Sequence, residues 1–410
     1  LTLTGRAEQH LAHTIHAGLT RFIPGDTSPQ PNLAHHWHVS NDGKTWQFFL
    51  RSQLFWHNGE PLKTAQLVAR FQQLRESARG KHNLASVVTL SQPHALCLQF
   101  DLDKPDYWLA HRFADLNCLL AHPDDPHIGA GPFRLTTFTP ELIRLEQHTY
   151  YPLQHPYLAA IEFWITPQLF AQRDNVSCQH PVRIILGEQN ELSQVKPIRR
   201  STSLGFCYIA TNLRRGVLSE AQAQKVIRII QRSGMLDNLP IDHDLVKASK
   251  EMLPGWPIPV HDHMDVQLPE TLRLLYHPPV EFELVAQALR EKLAEEGCAL
   301  EVVYHAGRLW EDGELLESAD LLLGDRLIGE SPEATLENWL QQDPLWPGIL
   351  REEDLILQQG RLSHIQQIPQ ENRRSEELRD HFYQWMVRSI ITPLFNYQYQ
   401  VSAPPRISGV

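Results

Sequence analysis

No run of 18 apolar residues occurs anywhere in the 410-residue chain, so no stretch reads as a membrane-crossing helix. Cysteine is sparse: Cys97, Cys118, Cys178, Cys207 and Cys298, an odd count with no C-x-x-C pair. This gives neither a zinc signature nor a disulfide framework, and it mildly favours a reduced cytoplasmic home. Positive charge is short as well, with 37 basic against 48 acidic residues and a net charge of -11. That balance argues against the chain gripping nucleic-acid phosphate by itself. Repeats and low-complexity tracts are absent. No signal peptide is visible, yet the chain starts at Leu1, so a processed chain or a fragment is expected.

The patterns that carry catalysis are missing too. Gly43-Lys44-Thr45 imitates the end of a phosphate loop, but His38 stands where its first glycine is required. Gly129-x-Gly131 runs into Pro132, which no dinucleotide fingerprint allows. There is no Gly-x-Ser-x-Gly elbow, and no carboxylate pair stands out for acid–base work. Histidine is abundant, at 22 residues, and His35, His36 and His38 cluster. A metal needs three or four converging ligands, and a solvated segment accounts for these three. Neither an enzyme, a metal site nor a cofactor is expected.

What is present is a well-patterned core. Hydrophobic residues make up 42% and mean hydropathy is -0.34, as in a soluble globular protein, and the length calls for two or three domains. The most informative stretch is Pro31–Leu74. Asn41-Asp42-Gly43 signals a tight turn, and Trp46, Phe48 and Leu50 alternate with polar neighbours as in a half-buried strand. Asn58-Gly59 turns the chain again. Thr64 is placed to cap a helix striped by Leu67, Val68, Phe71 and Leu74.

Leu11, Ile15 and Leu19 predict a helix reaching Gly18. Strands are predicted over Ala95–Phe100, Phe133–Phe138, Glu141–Glu146, Ile161–Ile165, Val182–Leu186 and Phe206–Ala210. Ser219 with Gln222 forms a capping box. Thr271–Tyr276, a helix striped by Phe282, Val285, Leu289 and Leu293 and stopped at Gly297, and Ala299–Tyr304 make a βαβ unit, with a further strand at Asp320–Leu323. Ser375 is placed to cap a last helix, and Pro393–Tyr399 closes as a strand.

Pro31, Leu33, Ala34, Trp37, then Trp46, Phe48, Leu50, Arg51, then Phe55, Gly59, Pro61 and Leu62 resemble the signature of family 5 extracellular solute-binding proteins, the peptide- and nickel-binding proteins of ABC importers. Gly129-Ala130-Gly131-Pro132-Phe133, Tyr208 through Asn212, and Pro393-Leu394-Phe395 continue the likeness in the family's order. Leu33-Ala34-His35-His36-Trp37, Pro105-Asp106-Tyr107-Trp108-Leu109 and His127-Ile128-Gly129 resemble the solute-binding half of SgrR-type transcriptional regulators. In that branch a winged-helix DNA-binding domain precedes the solute-binding part, and this chain carries none.

The resemblance implies an α/β, two-lobed periplasmic-binding-protein-like fold (class II, family 5 type) with mixed sheets. Lobe I would hold 1–212 plus 393–410, including a small subdomain near 38–125, and lobe II 213–392. Hinges would lie near Asn212 and Pro393.

The resemblance also implies ligand-binding positions at Thr4 and Arg6, at Tyr208 and Asn212, and at Asp325, Arg326 and Glu330. Family peptide binders place an aspartate after this last strand to meet the peptide's amino terminus, and Ile328 stands there instead. A small, polar, anionic ligand is therefore expected, captured by Arg6 and Arg326. A solvated turn at Asp325-Arg326 is the competing reading.

The functional expectation is a cytoplasmic ligand-sensing domain of an SgrR-type regulator, reaching DNA only through a winged-helix domain outside this chain. The alternative is a periplasmic peptide-binding component of an ABC transporter, with a permease as partner.

Overall fold

The computed structural model describes residues 6–23, 26–77, 80–154, 156–164, 184–185, 196–240, 246–263, 265–276, 280–305, 313–328 and 331–403. The chain divides into two compact units. One comprises residues 1–172, 330–341 and 363–374, and the other 173–329, 342–362 and 375–410.

In the first unit, α1 (Arg6–Ile15) is followed by a hairpin of β1 (Thr20–Ile23) and β2 (Asp26–Pro31). The helix stops at Ile15, short of the predicted Gly18. At Gly18 the chain passes so close to the Phe113 carbonyl that a Cβ would lie 1.9 Å from its oxygen. β3 (Ala34–Val39), β4 (Thr45–Leu50), β5 (Val87–His94) and β6 (Cys97–Leu102) form an antiparallel sheet in the order β3-β4-β6-β5.

Alternation in β4 does what the pattern predicts. Trp46, Phe48 and Leu50 are buried, while Thr45, Gln47 and Phe49 are half-buried. Phe48 meets Phe100 and Phe113 edge-on, at 5.8 and 5.0 Å between ring centroids. Each such ring contributes roughly 2–3 kcal/mol by leaving water.

α2 (Thr64–Glu76) covers this sheet with Leu67, Phe71 and Leu74. Thr64 does not cap it. The residue is buried as the first helical position and its Oγ1 donates to the Ala95 carbonyl at 2.6 Å. Lys63 holds the cap position, where its amide donates to Gln66 Oε1 at 2.9 Å. After the short α3 (Leu109–Arg112), β7 (Phe133–Phe138), β8 (Leu142–Gln147) and β9 (Ala160–Trp164) make a three-stranded antiparallel sheet. Phe133, Ile143 and Leu145 pack it onto Leu11 and Ile15 of α1.

The second unit is built on one mixed seven-stranded sheet. Its strands are β10 (Ile184–Ile185), β11 (Lys196–Thr211), β12 (Val246–Ala248), β13 (Thr271–Tyr276), β14 (Ala299–Tyr304), β15 (Leu321–Leu327) and β16 (Ile391–Ala403). The order is β10-β16-β11-β15-β13-β14, with β12 also on β16. α4 (Glu220–Arg232) starts at the predicted Ser219–Gln222 capping box. β13, α5 (Val280–Glu295) and β14 are the predicted βαβ unit, its strands parallel. Phe282, Val285, Leu289 and Leu293 of α5 are fully buried against β13, β14 and β15.

Further along come α6 (Gly313–Ser318), α7 (Pro332–Gln342), α8 (Leu345–Ile349), α9 (Glu352–Ile365) and α10 (Glu371–Val387). Ser375 lies inside α10, not at its start, because the Arg374 amide already donates to the Gln370 carbonyl at 3.0 Å. Residues 330–341 and 363–374, carrying most of α7 and the start of α10, belong to the first unit.

Candidate functional site

Two groups of polar side chains stand out, one in each unit. In the second unit, β11 and β15 run antiparallel with Tyr208 opposite Gly324, Cys207 opposite Asp325 and Phe206 opposite Arg326. Tyr208 is buried, and its phenol is pushed well above the usual range by that burial and then by Asp343. Arg326 reaches Asp343, with Nη2 3.4 Å from Oδ2. Asp343 is itself anchored, because its Oδ1 accepts from the Leu345 amide at 3.0 Å.

The structure therefore sets Tyr208 and Arg326 on one face of the sheet near the C-terminal end of β15, inside the strand and not on a turn, while Asp325, opposite Cys207, lies on the other face. Ile328, just beyond, is buried and apolar. Asn212 sits apart, one residue past the end of β11. Its Nδ2 donates to the Leu316 carbonyl at 3.0 Å and its Oδ1 accepts from the Arg215 amide at 3.1 Å. Thr4 and Glu330 lie outside the described residues, and Arg6 is the first residue of α1.

The group in the first unit was not singled out from the sequence. Arg112 Nη2 donates to Glu337 Oε1 at 2.9 Å, and its Nε lies 3.2 Å from Asp106 Oδ2. All three residues are at most 4% exposed. Ser86 Oγ and the Trp108 amide donate to Asp106 at 3.2 and 3.1 Å, and Gln341 Nε2 donates to Glu337 at 2.6 Å. Arg374 lies over the Trp108 ring, 4.8 Å from its centroid.

Burial pushes the Glu337 carboxyl up to about 7, against the pull of Arg112 and helped by Asp106. Burial would depress the Arg112 guanidinium, but Asp106 and Glu337 overcome it and hold it above the usual arginine value. Beside this cluster is a recess of about 20 Å³ bordered by Asn83, Asp115, Thr335 and Asn338. It has room for roughly one water molecule. Such a network fixes α7 to α3. Asp106 and Arg112 are six residues apart and could have been paired by eye. Glu337, on an element with no sequence signal, could not.

Cys97, Cys118, Cys207 and Cys298 are buried free thiols. Among the described residues no group of three or more His, Cys, Asp or Glu could hold a metal ion, and no helix is long and apolar enough to cross a membrane. His35 and His36 face each other at 2.8 Å between Nδ1 atoms, without a further ligand.

A mixed α/β chain of several sheets, with a βαβ unit in a larger mixed sheet, is the architecture of a two-lobed periplasmic binding protein. The model of the bacterial extracellular solute-binding proteins, family 5 (middle), matches residues 28–227. The uncharacterized protein YbaE of Escherichia coli (strain K12) is 48% identical over 410 residues, all of this chain and 72% of YbaE. The HTH-type transcriptional regulator SgrR of Yersinia pestis (strain Pestoides F) is 21% identical over 370 residues, 86% of this chain and 63% of that protein.

Among solved structures, the dipeptide binding protein of Pseudoalteromonas sp. SM9913 in complex with Met-Leu superposes with a TM-score of 0.75 at 14% identity. That match covers 100% of this chain and 93% of the other. The chain belongs to the family 5 extracellular solute-binding proteins. As a member of that family it is a solute-binding protein.

Proposed function

We propose that the chain is the ligand-sensing, solute-binding domain of an SgrR-type transcriptional regulator, acting in the cytoplasm. The observation that carries this reading is the likeness to SgrR, which runs through 86% of the chain. In this reading DNA is bound by a winged-helix domain of the full-length protein. The net charge of -11 supports leaving that task to another domain.

The ligand is small, polar and anionic, and lies between the lobes. Tyr208 and Arg326 line its site, and Thr4, Arg6, Asn212, Asp325 and Glu330 are the further positions assigned to it. The buried Ile328 supports excluding an extended peptide held by its amino group, since an unpaired ammonium beside it would be costly. The lobe limits, 1–212 with 393–410 against 213–392, belong to this proposal. They place hinges near Asn212 and Pro393, although compactness groups β11 and β16 with β15 because the three share a sheet.

The likeness to a dipeptide binding protein over the whole chain favours one second reading, a periplasmic peptide-binding component of an ABC importer. The deciding experiment uses the full-length protein. A gel shift on its own promoter region, altered by a small anionic metabolite, supports the regulator. Export of the protein and tight binding of di- to pentapeptides through their amino group would establish the importer component instead.

A further inference from the structure

We propose that the first unit carries a separate oxyanion site, in the groove beside Arg51, for a small carboxylate or phosphate ester attached to an aromatic ring. It does not depend on the regulator reading. The groove encloses about 720 Å³. Small-molecule sites span roughly 300–1,000 Å³. Among the described residues no carboxylate lines it, although the chain as a whole is acidic.

Arg51 Nε donates to the Asn32 carbonyl at 2.7 Å, and among the described residues no carboxylate pairs with its guanidinium. The buried Tyr151 hydroxyl takes a hydrogen bond from Arg21 and donates to Asn32 Oδ1 at 3.4 Å. Arg21 also has no carboxylate partner among the described residues. Two guanidinium groups thus converge on Asn32 and Tyr151, and among the described residues no carboxylate stands between them. Cations left in that state favour a bidentate oxyanion.

The backbone is shaped for the same end. The β3–β4 register slips between Ala34 and His36, and this bulge sets His35 on the groove wall. Gln53, on the same wall, has φ of 61°, a left-handed conformation that non-glycine residues rarely adopt. Strain retained at a concave polar surface points to a binding role. At the mouth, Phe55 and Tyr150 lie 5.1 Å apart, and Tyr150 is 57% exposed. They offer a ring face next to the cations, which selects an aromatic anion over a bare one.

The test is calorimetry on the 410-residue chain with phenyl phosphate, benzoate, inorganic phosphate and benzyl alcohol. Phenyl phosphate and benzoate bind, inorganic phosphate binds about tenfold more weakly, and benzyl alcohol does not bind. His35→Asp puts a carboxylate beside Arg51 at an exposed position and abolishes binding of every anion. Tyr150→Ser weakens phenyl phosphate about tenfold and leaves inorganic phosphate unchanged. Arg51→Gln loses all binding, and its unchanged melting temperature separates that loss from unfolding. No heat from phenyl phosphate or benzoate at millimolar concentration overturns the site, as does binding indifferent to both His35→Asp and Tyr150→Ser. Inorganic phosphate binding as tightly as phenyl phosphate overturns the aromatic part of the proposal.

Discussion

Arg112 Nη2 lies 2.9 Å from Glu337 Oε1 across 225 residues of sequence, and both side chains are almost wholly removed from water. The same guanidinium also serves Asp106. One cation therefore holds two buried carboxyl groups, and the three residues act as a unit. Removing the cation is the costly change, since it leaves both acids without compensation. Arg112→Met is expected to destabilise the chain by about 3–5 kcal/mol. Glu337→Gln keeps the hydrogen bonds and is expected to cost about 1 kcal/mol at pH 4.5, where the Glu337 carboxyl is itself neutral in the folded state. Urea unfolding measures both, and equal effects would contradict the shared-cation account.

Glu337 also fixes a sign for pH dependence. Its folded carboxyl is raised from 4.5 to about 7 by burial, so the folded state holds a proton that the unfolded chain has released. Its contribution is fully present below pH 4.5 and is lost as pH rises through about 7. Glu337→Gln removes this term. The variant is expected to gain on the parent steadily between pH 4.5 and 7.5, by up to about 3 kcal/mol. Paired melts across that range check it, and a difference that stays flat with pH would rule it out.

His57 titrates in the opposite sense. The Gly129 amide donates to its Nδ1 at 3.1 Å, so the hydrogen sits on Nε2, which donates to the Gly131 carbonyl at 3.1 Å. Burial lowers the ring to about 3, and the nearby His148 adds to this. The stability tied to the neutral ring is present above pH 6.5 and is lost as pH falls toward 3. Nitrogen NMR is expected to show the Nε2–H tautomer and no protonation of this ring at pH 5. A titration midpoint near 6.5 would refute the arrangement.

The turn that His57 braces explains a motif. A Cβ on Gly129 would lie 2.1 Å from the Ile15 carbonyl oxygen, and one on Gly131 would lie 2.6 Å from the same atom. The Gly131 amide donates to that oxygen at 2.9 Å, tying the end of α1 to the turn. Gly129→Ala forces backbone apart and is expected to cost about 3 kcal/mol. A fall in melting temperature of several degrees checks it. An unchanged melt would mean that α1 can shift freely.

The parts readable in advance were those governed by local rules. Alternation located β4, helical spacing with Gly297 located β13–α5–β14, and Ser219 with Gln222 marked the start of α4. Thr64 misled because its hydroxyl is drawn to the Ala95 carbonyl, a partner on another element. Ser375 misled because α10 begins at Glu371, one turn earlier than a serine cap would place it. For the site, the Tyr208–Asn212 and Asp325-Arg326 segments were marked by resemblance. Asp343 and Glu337 were not, because long-range charge pairing leaves no periodic trace in sequence.

The Arg326–Asp343 contact sets the last prediction. At 3.4 Å, with side chains 30% and 13% exposed, the pair is close but partly solvated, so its coupling is screened. Under the proposed function an anionic ligand competes with Asp343 for the same guanidinium. Weakening the competitor should help the ligand. Asp343→Asn keeps the bond from the Leu345 amide, and so the start of α8, while removing the charge. It is expected to tighten anion binding about fivefold to tenfold, whereas Arg326→Gln weakens it by at least as much. Tyr208→Phe keeps the buried ring and removes the hydroxyl, and is expected to weaken anion binding about threefold to tenfold. Calorimetry on the three variants, with the anion found to act on the full-length protein, reads all of these effects. Weaker binding in Asp343→Asn would mean that Asp343 positions Arg326 for the ligand and does not compete with it.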